Sequence, residues 1–245
     1  MDPISIAAAG GLRSRMESLS LLANNLANAA TTGFKTDRES YGLYTSNEAE
    51  APEGDTETIP VIQRQWTDFS QGTLTPTGNP LDVALSGRGF LTVAGPSGPI
   101  YTRNGNLHIS PSGDLANGDG FPVRSTQGTG IRVNSNQPIE ILPDGTVRQD
   151  GRTVGQLAVV DFKSTDSLQK VSGTSFQNTD AANKPKPADN IQVQQGKLES
   201  SNVGVAESAM RLVGVMRQFE MLQKAVSMGL EMNTKAIQEV ARVGA

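Results

Sequence analysis

The chain has 245 residues, 36% hydrophobic and 19% charged, with 21 basic against 25 acidic side chains and a net charge of −4. That length supports one or two domains around a sizeable core, and so mild an acidic balance gives no electrostatic reason for a nucleic-acid or anionic-membrane partner. The absence of cysteine excludes disulfides, thiol catalysis and thiolate metal sites, and no apolar run is long enough to span a bilayer.

Gly and Pro divide the chain. Twelve of the 13 prolines lie between Pro52 and Pro187, and nineteen of the 26 glycines between Gly42 and Gly196. The two ends therefore read as helical arms and the middle as strands and turns, an α+β chain. The first arm, residues 1–33, opens on Asp2-Pro3, a cap followed by a first-turn proline. Leu12, Met16, Leu19, Ala23 and Leu26 recur at spacings of four and three, an apolar seam of coiled-coil type. Gly10-Gly11 predicts a bend or late start. Asn24, Asn25 and Asn28 mark a weakening end, and Thr31-Thr32-Gly33 predicts the stop, with Gly33 left-handed.

Residues 34–75 read as an extended polar connector, and the acidic stretch 48–57 as an exposed, mobile loop. The central β domain is predicted over 76–180, with many short strands. Asn104-Gly105 carries a hairpin signal between Ile100–Thr102 and Leu107–Ile109. Asp119-Gly120, Asp144-Gly145 and Asp150-Gly151 mark further turns. Gly87-Arg88-Gly89 reads as a tight turn between strands; it lacks the lysine and following helix of a phosphate loop.

Residues 181–203 read as a return connector, and the last arm, 204–245, as a second helix. Its seam runs Val205, Ala209, Leu212, Met216, Phe219, Gln223, Val226, Leu230, Asn233, Ile237 and Val240. Leu21, Leu22, Val213, Val215 and Leu222 add apolar surface beyond one seam. Such arms call for other subunits as partners, and assembly is expected to order them.

Chemistry is sparse. His108 is the single histidine and falls in an alternating strand, with no nucleophile elbow elsewhere. Asp114, Asp119, Asp144 and Asp150 suit turns better than a calcium loop. No catalytic, metal or cofactor site is expected. A carboxylate-dependent hydrolase would need two carboxylates facing across a cleft. A secreted adhesin or carbohydrate-binding module would need an aromatic platform, and Trp66 is the sole Trp.

Three stretches carry a resemblance: NNLANAATTGFK at 24–35; TGNPLDVALSGRGFLTV at 77–93 with YTRNGNLHISPSGDL at 101–115; and QGKLESSNVGVAESAMRLVGVMRQFE at 195–220. Together they resemble the rod and hook family of bacterial flagellar axial proteins, over nearly the whole chain and in the family's order. The resemblance implies terminal helices paired as a coiled coil on the inner wall of a helical tube, with the β domain outside. It implies copies of the chain and other flagellar rod proteins as partners, and export through the flagellar type III apparatus without a cleaved signal peptide. It also implies a mechanical role in a basal-body rod that crosses the periplasm and transmits torque.

The short connector and the segments Pro80–Ala84 and Val154–Leu157 look most like a proximal rod subunit; a distal rod or hook-type subunit is the alternative. On this resemblance Leu12, Met16, Leu19, Asn24, Asn25, Leu26 and Asn28 of the first arm are expected at subunit contacts. So are Leu212, Met216, Phe219, Val226 and Leu230 of the second. Gly33, Gly87 and Gly89 form structural turns, with Phe34 as an anchor. Arg88 and Arg103 are candidates to meet acidic neighbours.

Overall fold

The computed structural model describes residues 3–45 and 58–243. In chain order the elements are α1 (Pro3–Ala27), β1 (Asp37–Thr45), β2 (Thr58–Thr67), β3 (Leu74–Pro76), β4 (Val83–Ser86), β5 (Phe90–Gly95) and β6 (Gly98–Thr102). Then come β7 (Leu107–Ile109), β8 (Leu115–Asn117), β9 (Ile139–Ile141), β10 (Thr146–Gln149), β11 (Arg152–Gln156) and β12 (Val159–Asp161). The rest are β13 (Leu168–Ser172), β14 (Ser175–Asn178), β15 (Lys186–Pro187), β16 (Gln192–Gln195), β17 (Lys197–Glu199) and α2 (Val205–Val243). Two terminal helices thus flank a region of many short strands, an α+β fold. The chain divides into two compact units.

The first unit holds both helices together with residues 37–67. Here the connector expected over 34–75 differs from what forms: β1 and β2 pair antiparallel from Asp37↔Thr67 outward, with a bulge between Ser40 and Tyr41. Thr58, Ile59, Val61 and Ile62 are β-branched and favour this ladder, while the polar residues Gln63, Arg64 and Gln65 and those of β1 hid the strands. The acidic stretch 48–57 lies outside the described residues.

The hairpin lies along α1. The Arg15 guanidinium stands 4.9 Å over the Tyr41 ring, and the Ser18 and Tyr41 hydroxyls both donate to Glu39 Oε1. α1 also packs on α2. The glycine pair does not delay α1, which runs from Pro3 through both. Gly11 is buried, and a Cβ there would meet Leu222 Cδ1 at 3.6 Å, an ordinary van der Waals contact, so alanine would fit there as well.

The second unit comprises residues 28–36 and 68–203. Its six-stranded sheet has the order β13-β14-β6-β5-β12-β15, beside a three-stranded sheet β11-β10-β9 and the pairs β16-β4, β17-β3 and β7-β8. β5 divides two cores because successive side chains point to opposite faces. Leu91 and Val93 join Val83, Leu85, Leu107, Leu115, Val147, Leu157 and Val193 in an aliphatic core. Phe90 joins Tyr101, Phe162, Leu168 and Phe176 in an aromatic one. Phe69 and Phe176 meet edge-on at 4.9 Å, and Tyr101 and Phe162 at 4.8 Å.

The hairpin expected at Asn104-Gly105 is corrected. β6 pairs with β5 and β14, and β7 pairs with β8. The Gly105 carbonyl instead accepts from Val83 N at 3.0 Å. A Cβ on Gly105 would fall 1.7 Å from the Val83 carbonyl oxygen, so this glycine admits a crossing strand. Asp150-Gly151 does join β10 to β11, with φ of 49° and 72°. Residues of the return connector also form strands: β16 pairs with β4, and β17 with β3.

Candidate functional site

α2 is 39 residues long, against 25 for α1, roughly 58 Å against 37 Å at 1.5 Å per residue. Gly204 precedes it, and its carbonyl accepts the first helical bond from Ser208 N at 2.8 Å. Glu207 in the first turn and Arg242 in the last suit the helix dipole. Its inward line is Ser208, which is buried, then Leu212, Val215, Phe219, Leu222 and Val226, all half-buried. This line shares Leu212, Phe219 and Val226 with the expected seam but replaces Met216 and Gln223 by Val215 and Leu222. Met216 and Leu230 are exposed at 47% and 57%. The side chains of Ile237 and Val240 lie outside the described residues. Outward from the inward line stand Met210, Val213, Met221, Met228 and Met232, all exposed.

On α1 the buried positions are Gly11, Ser14, Ser18, Leu22 and Asn25. The expected apolar seam lies one residue round: Leu12, Leu19 and Leu26 are half-buried, and Met16 and Ala23 are exposed. Small side chains occupy the buried line because α1 is approached by both α2 and the β1–β2 hairpin. Among the three asparagines, Asn24 is exposed and Asn28 half-buried. The Asn28 Oδ1 accepts from Thr31 Oγ1 at 3.1 Å. Asn25 is turned inward. Its Nδ2 donates to the Asp37 carbonyl at 2.8 Å, and its Oδ1 accepts from Asp37 N at 3.0 Å. The side chain thus pairs with one peptide unit as a strand would, and it is buried within its own chain.

The second unit holds a buried charge cluster where the chain enters and leaves it. Gly33 has φ 70°, and a Cβ there would lie 2.5 Å from Asn104 N, so both backbone and space demand glycine. Beyond it Phe34 is fully buried, with Lys170 Nζ 4.1 Å over its ring. Lys35 Nζ donates to Glu199 Oε1 and to the Ser70 carbonyl, each at 2.6 Å. Gly72 N adds a bond to Glu199 Oε1 at 2.9 Å. The other carboxylate oxygen accepts from Arg103 Nη1 at 3.2 Å, and Arg103 Nη2 reaches the Gly87 carbonyl at 2.6 Å.

Lys35 and Glu199 are fully buried and Arg103 nearly so. Arg103 therefore meets an acidic partner in its own chain, while Arg88 is exposed and stands 3.7 Å from Asp161. Gly87 and Gly89 have φ of 111° and 148°. Asn202 completes the cluster. Its Oδ1 accepts from both Thr36 N and Thr36 Oγ1 at 2.8 Å, and its Nδ2 donates to the Asp68 carbonyl at 2.8 Å. Three of the four points where the chain passes between the units, at residues 36, 68 and 203, are thereby fastened beside one another.

Burial pulls the Lys35 ammonium below its ordinary value, with the Glu199 carboxylate opposing. Burial lowers the Arg103 value too, again opposed by Glu199. Because the folded Lys35 value is depressed, its stabilising contribution is present above the unfolded value and lost as pH falls through the folded one. Stability of wild type relative to Lys35→Met is therefore expected to rise from neutrality toward 10.5. Urea unfolding of both proteins along that range checks it; a flat or falling difference contradicts it. Tyr41 and Tyr101, whose values burial raises, act alike in both proteins and cancel.

Lys35, Glu199 and Asn202 were not singled out from sequence. Their signal was charge and amide lying within the quoted segments TTGFK and KLESSNV. His108 is exposed on β7. Among the described residues no group of three His, Asp or Glu could hold a metal ion, and no described helix is long and apolar enough to cross a membrane.

Two family models match the chain: the flagellar hook protein FlgE/F/G D1 domain over residues 84–149, and the flagellar basal body rod FlgEFG protein C-terminal region over residues 194–239. The first covers β4 to β10 and includes Arg103; the second covers Glu199 and most of α2. The chain is 30% identical over 227 residues to the flagellar basal-body rod protein FlgF of Caulobacter vibrioides, covering 92% of each. It is 31% identical over 255 residues to the FlgG of Buchnera aphidicola subsp. Acyrthosiphon pisum, covering 93% of this chain and 96% of the other. With the FlgF of Salmonella typhimurium it shares 29% over 240 residues, at 93% and 94%. The chain belongs to the flagellar basal-body rod protein family.

Proposed function

We infer that this chain, a structural subunit of the flagellar basal-body rod, polymerises through its terminal helices with copies of itself and other rod proteins into the shaft that carries torque. The observation that carries the reading is α2. One side packs on α1, and the other presents Met210, Val213, Met221, Met228 and Met232 to solvent. Large apolar side chains exposed along one helix face suit an interaction face. Contacts between unlike patches propagate rather than close, which suits a filamentous shaft. The role is mechanical and has no catalytic step. The chain reaches the rod through the flagellar export apparatus.

Its place is the proximal rod. The alignment to the Buchnera FlgG needs 255 positions for 93% of this chain, whereas that to the Caulobacter FlgF needs 227 for 92%. The FlgG alignment therefore carries many more inserted positions, and this chain has the shorter, FlgF-like layout. An epitope-tagged chain, located in isolated basal bodies by antibody-labelled electron microscopy, tests the reading. Label on the inner part of the rod is expected. Label confined to the outer rod or hook would overturn the proximal place, and label absent from basal bodies would overturn the subunit role.

A further inference from the structure

Five of the seven methionines fall between 210 and 232, and the chain has no cysteine, so thioethers are its readily oxidised sulfur groups. Met210, Met221, Met228 and Met232 are exposed at 70%, 62%, 62% and 70%. At 3.6 residues per turn they lie within about 40° of one another, and about 145° round α2 from the mean direction of Leu212, Val215, Phe219, Leu222 and Val226. They therefore form one stripe facing away from α1. Beside it a shallow groove of about 390 Å³ is lined by Ala209, Met210, Val213, Gly214 and Arg217. Leucine would supply similar apolar surface at similar helix propensity; methionine adds flexibility and a sulfur open to oxidants.

We propose that Met210, Met221, Met228 and Met232 form an oxidation-sensitive stripe, modified by a peroxide, that decides whether α2 can be buried against a neighbouring subunit. At each site the sulfur lone pair attacks one peroxide oxygen. The S–O bond forms, the O–O bond breaks, and the proton on the transferred oxygen passes to the departing hydroxide, which leaves as water. The thioether is oxidised by two electrons to the sulfoxide and the peroxide is reduced. Since the stripe points away from the packed line, no group between the helices has to move. The product carries a polar S–O group where an apolar one stood, so the outward face can no longer be buried without leaving that oxygen unpaired. Assembled chains have the stripe covered, so the modification acts on chains that have not yet joined. This consequence rests on the subunit reading above; the chemistry of the stripe does not.

Full-length protein is treated with hydrogen peroxide and followed by peptide mass spectrometry, circular dichroism and light scattering. The four stripe methionines are expected to gain oxygen before Met216, which is 47% exposed, with helicity retained. Self-association is expected to weaken by about tenfold or more, the scale of an unpaired polar group at each contact. In the variant Met210→Leu/Met221→Leu/Met228→Leu/Met232→Leu the association, at whatever strength it has before treatment, is expected to be unchanged by peroxide. The variant keeps Met16, exposed at 60% on α1, as an internal control. Equal oxidation of Met216, undiminished association of fully oxidised wild type, or peroxide sensitivity of the leucine variant would each overturn the proposal. Failure of untreated protein to associate at all would count against the subunit reading, and the order of oxidation then upholds or overturns the stripe by itself.

Discussion

Replacing Glu199 by Gln is expected to destabilise the β-rich unit by about 3–5 kcal/mol, the cost of breaking a buried ion pair from one side. The carboxylate is fully buried and accepts from Lys35 Nζ, Gly72 N and Arg103 Nη1. A neutral amide of the same shape leaves two cations in a dry site, and its own NH₂ faces donors. Urea unfolding followed through the near-ultraviolet signal of Tyr101 and its aromatic neighbours measures the loss. The combination Lys35→Met/Arg103→Met/Glu199→Met is expected to recover part of it, because apolar replacement of a whole buried charge cluster removes the desolvation cost. Recovery stops short of wild type, since the Gly87 carbonyl loses its Arg103 donor and Gly72 N loses its carboxylate acceptor. A Glu199→Gln protein within about 1 kcal/mol of wild type, the scale of an ordinary hydrogen bond, would show that the cluster is not what fastens the chain there.

Leu212→Asp combined with Phe219→Asp is expected to abolish rod assembly while leaving the β-rich unit folded. Both side chains lie on the half-buried line of α2 toward α1. Removing a large apolar group from a full core costs about 2–5 kcal/mol, so half-buried sites lose about half that each. The introduced carboxylates also resist burial. The two helices should then separate, seen as lost helical circular dichroism, while the near-ultraviolet signal of the other unit persists. That unit contains neither residue. Complementation in cells lacking the chain reads the second half: the variant should restore no motility. Normal rods built from the double variant would refute the role of this line.

The helices were legible because apolar residues at three- and four-residue spacings are hard to produce by any other structure, and α2 spans 205–243 within the arm expected over 204–245. Which side of each helix faces inward was less legible. Hydropathy ranks Leu12 and Met16 above Gly11, Ser14 and Ser18, yet an α1 approached from two sides buries what is small. β1 and β2 were missed because a ladder lying along one helix needs few apolar residues: Glu39 and Ser18 meet by a hydrogen bond. At Asn104-Gly105 the local turn signal lost to a distant strand, since Val83 and Gly105 bond across the chain. The Lys35–Glu199–Arg103 cluster is the extreme case. Its partners stand 164 and 96 residues apart, and no local pattern reports a pairing of that range. Arg103 was correctly a residue in want of a carboxylate, but the carboxylate lies in its own chain.

Amide exchange along α2, compared between dilute full-length protein and assembled rods, bears most directly on the claim that its outward face becomes covered by other subunits. Residues 205–243 are expected to exchange far more slowly in the rod than in the isolated chain, while the buried strands β4 and β5 exchange alike in both. Equal protection of α2 in the two states would mean that assembly covers nothing there, and the helices would then have no part in building the rod.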